Sequence, residues 1–170
     1  PSLTIAISSL ARDLKAQGKD ILSFSAGEPD FGTPQRIKDE AIKAINDGFT
    51  QYTAVPGIPE LLEAVAVKLK RDNGLDYAPS DIIVSNGAKQ SLFNLFQAVL
   101  NEGEEVIIPA PYWVTYPELV KYAGAVPVAI DTDEISGFKI TAEQLRAAIT
   151  PQTKMIILTT PSNPTGSVYS

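Results

Sequence analysis

The sequence predicts an α/β protein: a mainly parallel sheet in three layers, with helices on both faces, preceded by an N-terminal helical segment. Two observations point there. Short, continuously apolar runs (Ile82–Val84, Val106–Ile108, Val126–Ile130 and Met155–Leu158) alternate with stretches of helical spacing from Ala88 onward. Strands buried on both faces read as unbroken apolar runs, and parallel neighbours need crossovers, usually helical, between them. Before Gly74 the chain shows helical spacing punctuated by Gly and Pro, without that alternation.

The elements follow in order. Thr4–Gln17 carries Ile5, Ala6, Leu10, Ala11 and Leu14 at helical spacing and stops at Gly18. Ile21–Phe24 reads as a short extended segment, and Gly27–Gly32 as turns. Thr33-Pro34 is a helix start, a cap hydroxyl followed by proline at the first helical position. That helix is expected to turn Ile37, Ala41, Ala44 and Ile45 inward and to end near Gly48. Pro59–Arg71 presents Leu61, Leu62, Val65 and Leu69 and ends at Asn73-Gly74. Ala88–Leu100, with Leu92, Leu95, Phe96 and Val99 at core spacing, Pro117–Ala123 and Ala142–Ile149 are the helices between strands. The last strand, Met155–Thr160, lacks the helix and next strand that should cover it, so more chain is expected after Ser170.

Composition narrows the chemistry. The chain has 170 residues, 44% of them hydrophobic, which suits a globular protein with a substantial core. Net charge is −6, and no run of Lys and Arg offers a footprint for a phosphate backbone, so nucleic-acid binding is not expected. With no Cys and no His, there are no disulfides, thiol nucleophiles or imidazole groups, and no transition-metal site is expected. No apolar run reaches membrane-spanning length. A cytoplasmic location is the expectation, and the absence of cysteine fits it.

Ligands of open α/β sheets bind beyond the carboxyl ends of strands, and three segments there carry unusual residues. In Ser85-Asn86-Gly87-Ala88-Lys89, glycine admits a close ligand and the helix start offers free N–H groups, which suits a phosphate. Lys89 in the first turn opposes the helix dipole, and an anion would resolve the conflict. On the loop alone, an ordinary turn with a solvated lysine is an equal reading. Pro109-Ala110-Pro111-Tyr112-Trp113 holds the only tryptophan, which could stack on a planar ring or fill a gap in the core. In Pro161-Ser162-Asn163-Pro164-Thr165-Gly166, the proline pushes Asn163 toward an extended backbone, so that its amide projects as a donor. A plain Asn-Pro turn is the alternative. The Gly27 turn could present N–H groups to a carboxylate, and the Tyr52 phenol could reach a ligand or seal a surface.

Taken together, these segments describe a site for a planar, phosphorylated heteroaromatic. Ser25-Ala26-Gly27-Glu28-Pro29-Asp30-Phe31, Thr50-x-Tyr52, Ser85 to Gln90, Pro111-Tyr112-Trp113 and Pro161 to Gly166 followed by Tyr169 occur in that order. In this the chain resembles the class I, fold-type-I pyridoxal-phosphate-dependent aminotransferases, in their bacterial aspartate aminotransferase branch, over essentially its whole length. The resemblance implies pyridoxal 5'-phosphate as cofactor and a transaminase exchanging amino groups between an L-amino acid, aspartate foremost, and a 2-oxo acid, 2-oxoglutarate foremost. It implies that Gly87, Ala88 and Lys89 hold the phosphate and that Trp113 stacks on the ring. Asn163 would bond the ring's phenolic oxygen, and Tyr52 would reach the phosphate in a neighbouring subunit of a homodimer with shared sites. Gly27, Trp113, Asn163 and Thr4 would meet the substrate. Residues 1–33 would form an N-terminal arm toward the small domain or dimer partner, and residues 34–170 the N-terminal half of the cofactor-binding large domain. The family's Schiff-base lysine would lie beyond Ser170, so the 170 residues alone are expected to be inactive. Leu62 stands where relatives often have arginine. Other readings are an aromatic or prephenate transaminase, a β-lyase, or a non-catalytic regulator that senses the cofactor.

Overall fold

A computed structural model describes residues 3–24 and 27–169 and divides the chain into two compact units, Pro1–Tyr52 and Thr53–Ser170. The first unit holds α1 (Leu3–Ala16) and α2 (Gln35–Asn46). Both helices are amphipathic, but Ile37 and Ile45 of α2 are exposed and α2 buries no residue. The inward packing expected of that face is therefore not made among the described residues. Pro34 occupies the α2 cap position and no side chain caps the helix, so the Thr33 hydroxyl does not take the role its position suggested. Ile21–Phe24 forms no strand.

The second unit opens with α3 (Pro59–Asn73), whose Leu62 is buried and whose chain direction reverses at Gly74, in the left-handed region at φ 68°. Leu62 thus packs apolar surface where a charged side chain would lose its water. A single 3-10 turn, Pro79–Asp81, follows. Ile82–Val84 is not a sheet strand. Ile82 is extended (φ −116°, ψ 134°), yet the Val84 amide donates to the Pro56 carbonyl (2.8 Å) instead of a ladder, and Ile83 is 70% exposed.

Among the described residues the sheet has three strands, β1 (Glu105–Pro109), β2 (Val126–Ile130) and β3 (Thr153–Ile156), in the order β2-β1-β3, all parallel. The helices α4 (Ala88–Val99), α5 (Thr115–Tyr122) and α6 (Ala142–Ala148) precede or connect them. The chain leaves β1 for β2 on one side and then crosses to β3 on the other. Since parallel crossovers are right-handed, these opposite steps put α5 and α6 on opposite faces of the sheet. Burial in the central strand agrees. Val106 and Ile108 join Phe96 and Leu100 of the α4 segment and Tyr116 and Val120 of α5 in one cluster, while Ile107, pointing the other way, is also fully buried. The start of α6 is fixed by a reciprocal cap: Gln144 N–H donates to Thr141 Oγ1 (3.1 Å) and Thr141 N–H to Gln144 Oε1 (2.9 Å). No helix among the described residues is long and apolar enough to cross a membrane.

Candidate active site

Steps in opposite directions away from a central strand open a crevice at the carboxyl ends of the strands. Here the cleft beyond β1 and β3 is lined by Pro111, Tyr112 and Tyr116 on the β1 side and by Thr159, Ser162 and Asn163 on the β3 side. The second and third loops line it directly, and the first is linked to the second by a side-chain contact.

The first loop ends at Gly87, with φ 80° and ψ 166°, in a region where a side chain is strained; the space where a Cβ would stand is open. Beyond it α4 begins. The amides of Gln90 and Ser91 donate back to the Gly87 carbonyl, and the Gln90 side chain accepts from the Asn86 amide. Among the described residues the amides of Ala88 and Lys89 have no acceptor, and the first turn contains no acidic side chain. Two free donors, an aligned dipole and an adjacent ammonium make an anion cradle.

The second loop carries Trp113, half-buried at the edge of the α4–α5 cluster. Lys89 Nζ stands 5.1 Å from the indole centroid, a cation–π contact that ties the first loop to the second and contributes on the order of 0.5–1 kcal/mol when exposed. Trp113 meets Tyr116 edge to face, with centroids 5.5 Å apart and planes at 88°. The Tyr116 hydroxyl shares a 2.8 Å hydrogen bond with Thr159 Oγ1, reaching the third loop. The three segments are thus joined through contacts of Lys89, Trp113, Tyr116 and Thr159.

The third loop folds on itself. Ser162 N–H donates to the Ser167 carbonyl and Gly166 N–H to the Ser162 carbonyl, both at 2.8 Å, with the Asn163–Pro164 peptide cis between them. Asn163 is exposed at the tip, and its amide makes no hydrogen bond among the described residues. It is an available donor at the cleft.

A fourth segment reaches the same place. After β2 the chain turns at Asp133–Phe138, where Ser136 N–H donates to Asp133 Oδ1 (2.8 Å) and Phe138 N–H to the Asp133 carbonyl (2.8 Å). Hydrogen bonds from the Ser136 amide, and then its hydroxyl, hold the Asp133 carboxyl below the ordinary carboxylate range. Phe138 is left-handed at φ 56° and its ring lines the cleft, a conformation that costs a non-glycine residue roughly 1–2 kcal/mol.

Comparison with known proteins decides the family. The family model described as aminotransferase class I and II matches residues 19–170. The chain belongs to the class I and II aminotransferases. It is 56% identical over all its residues to an aspartate aminotransferase of Geobacillus stearothermophilus, and 54% identical to an aspartate/prephenate aminotransferase of Cereibacter sphaeroides. It spans 43% and 42% of the length of those two proteins. Its fold superposes on the Thermus thermophilus aspartate aminotransferase with maleate at a TM-score of 0.96, with 49% identity, covering the whole of this chain and 44% of that one. An alanine aminotransferase from Pyrococcus furiosus gives 0.92 at 34% identity, covering 98% of this chain and 43% of that one.

In this chain, Gly87, Ala88, Lys89, Trp113 and Asn163 lie in the second unit; Asn163 lines the cleft, Trp113 touches its Tyr116 wall, and Lys89 touches Trp113. Gly27 and Tyr52 belong to the first unit, where both are exposed, Tyr52 completely. The Thr4 side chain, like Ser25 and Ala26 of the Gly27 motif, lies outside the described residues. Tyr116, Phe138 and Thr159 were not singled out by sequence, and Tyr169 was noted only as part of a motif. A signal existed for Phe138, since it follows Ser136-Gly137 in a turn that begins with aspartate.

Proposed function

We propose that this chain is the part of an aspartate aminotransferase that holds the phosphate and one face of pyridoxal 5'-phosphate. The observation that carries the reading is a chain of contacts, Lys89 to Trp113, Trp113 to Tyr116 and Tyr116 to Thr159, that links an anion cradle and a half-exposed indole to the cleft where the unengaged Asn163 amide stands. The donor set fits the cofactor. The free amides of Ala88 and Lys89 and the Lys89 ammonium suit a phosphate, the Trp113 face suits a flat ring, and the Asn163 amide suits a phenolate oxygen. When bound, the cofactor supplies an electron-withdrawing ring that stabilises negative charge at the substrate α-carbon.

What the chain itself does is hold and orient. Ala88 and Lys89 fix the phosphate end and thereby the ring's position along the cleft, while Trp113 excludes water from one ring face. Asn163 donates to the ring oxygen and favours its ionised form. In the same proposal residues 34–170 form the N-terminal half of the large domain and residues 1–33 an arm. Gly27 and Thr4 serve the substrate, and Tyr52 serves the phosphate of a partner subunit in a cytoplasmic homodimer. The complete exposure of the Tyr52 phenol supports that last role. Aspartate and 2-oxoglutarate are the proposed substrates, supported by the names of the relatives.

The full-length protein, loaded with pyridoxal 5'-phosphate, should form oxaloacetate from L-aspartate and 2-oxoglutarate, and activity should vanish when the cofactor is removed. An amino-acid panel that includes prephenate as acceptor would locate the preference. A cofactor-loaded protein that moves no amino group to any 2-oxo acid in that panel defeats the proposal.

A further inference from the structure

We propose that Phe138 and Tyr169 are positioning residues for Asn163, acting as a clasp between the turn after β2 and the loop after β3. This rests on the site reading above and adds two residues to it. Asn163 is exposed and its amide has no partner among the described residues, so its own side-chain packing does not set its direction. The loop must do so. Its two ends are tied: Tyr169 N–H donates to Thr160 Oγ1 (3.1 Å), and Ser162 N–H donates to the Ser167 carbonyl (2.8 Å).

The tied loop is then anchored to the Asp133–Phe138 turn. Ser167 Oγ donates to the Gly137 carbonyl (2.8 Å), and Ile140 N–H donates to the Tyr169 hydroxyl oxygen (3.0 Å). Gly137 and Phe138 are both left-handed, at φ 63° and 56°, and Phe138 lines the cleft that Ser162 and Asn163 also line. A phenylalanine held there by the bonds at Asp133 and Ser136 is a fixed wall. A donor that must meet a ring oxygen within a few tenths of an ångström needs such support from residues that never touch the ring.

The test uses the full-length, cofactor-loaded protein and reads the pH titration of the bound cofactor's absorbance together with the melting temperature. Asn163→Ala should move the titration midpoint upward by about one pH unit or more, the scale of a hydrogen bond to an anion. Tyr169→Phe removes only the acceptor for the Ile140 amide. Phe138→Gly removes the side chain, and glycine reaches the left-handed backbone without strain although it loosens the turn. Each should move the midpoint in the same direction by a smaller amount, and Phe138→Tyr should restore it. If Asn163→Ala moves the midpoint but neither Tyr169→Phe nor Phe138→Gly does, whatever happens to melting, the clasp is overturned and the site reading stands. If Asn163→Ala itself leaves the midpoint unmoved, the assigned role of Asn163 fails, and the clasp with it.

Discussion

Gly87 concentrates the chemistry of the cradle in one backbone angle. At φ 80° it turns the chain so that the amides of Ala88 and Lys89 open α4 without acceptors among the described residues, and the space beside its Cα is empty. Gly87→Ala would therefore act through φ and not through a clash. That combination of φ and ψ is essentially confined to glycine and costs another residue roughly 1–3 kcal/mol, so we expect a fall in melting temperature of several degrees and weaker retention of pyridoxal phosphate. Thermal melting and cofactor dialysis check it; unchanged retention would show that the angle does not matter to the phosphate. Asp133 gives a second prediction at this scale. Its folded-state pKa lies below the ordinary value of about 3.9. Its contribution is therefore present above that ordinary value and is lost as pH falls through the lower, folded one. The melting difference between the wild type and Asp133→Ala should be level from pH 7 to about 5 and shrink below about pH 4; a difference that grows on acidification contradicts the assignment.

Among the elements, β1 was legible in the sequence and Ile82–Val84 was misread, for one physical reason. Both are short unbroken apolar runs, but only Val106-Ile107-Ile108 has partners on each side, and pairing is a non-local property that local composition does not carry. Helix spacing transferred better. Phe96, placed at core spacing in α4, is 1% exposed at the centre of the cluster, whereas Leu95, given the same role, is 46% exposed on the flank. Phe96→Ala should then cost about 3–5 kcal/mol and Leu95→Ala well under that, measured by denaturant unfolding. Equal costs would mean that α4 is rotated from the orientation described. The left-handed Phe138 turn was not legible, because a residue's φ there is imposed by bonds from Asp133, Ser136 and Ser167 that only the fold brings together.

For the whole molecule, strand–helix alternation set two of the three loops at the carboxyl ends of strands, after β1 and β3; the Ser85–Lys89 loop follows no strand of the sheet, since Ile82–Val84 is unpaired there, and it reaches the second loop through Lys89 against Trp113. How they touch was not legible, since Tyr116 and Thr159 meet across 43 residues of chain. The first unit adds a consequence of the dimer proposal. If Tyr52 serves a partner's cofactor, subunits carrying Tyr52→Phe mixed with subunits carrying Asn163→Ala should form hybrids with one intact site each. Activity of the mixture should rise above that of either parent; no rise would place Tyr52 outside a shared site. In the proposed function one cleft takes a flat ring bearing a phosphate. The most direct measurement is a crystal structure of the full-length protein with pyridoxal 5'-phosphate. Phosphate oxygens should lie within hydrogen-bond distance of the Ala88 and Lys89 amides, the Trp113 indole against the ring, and the Asn163 amide on the ring oxygen. A phosphate held elsewhere, with Trp113 and Asn163 both clear of the ring, would contradict that proposal.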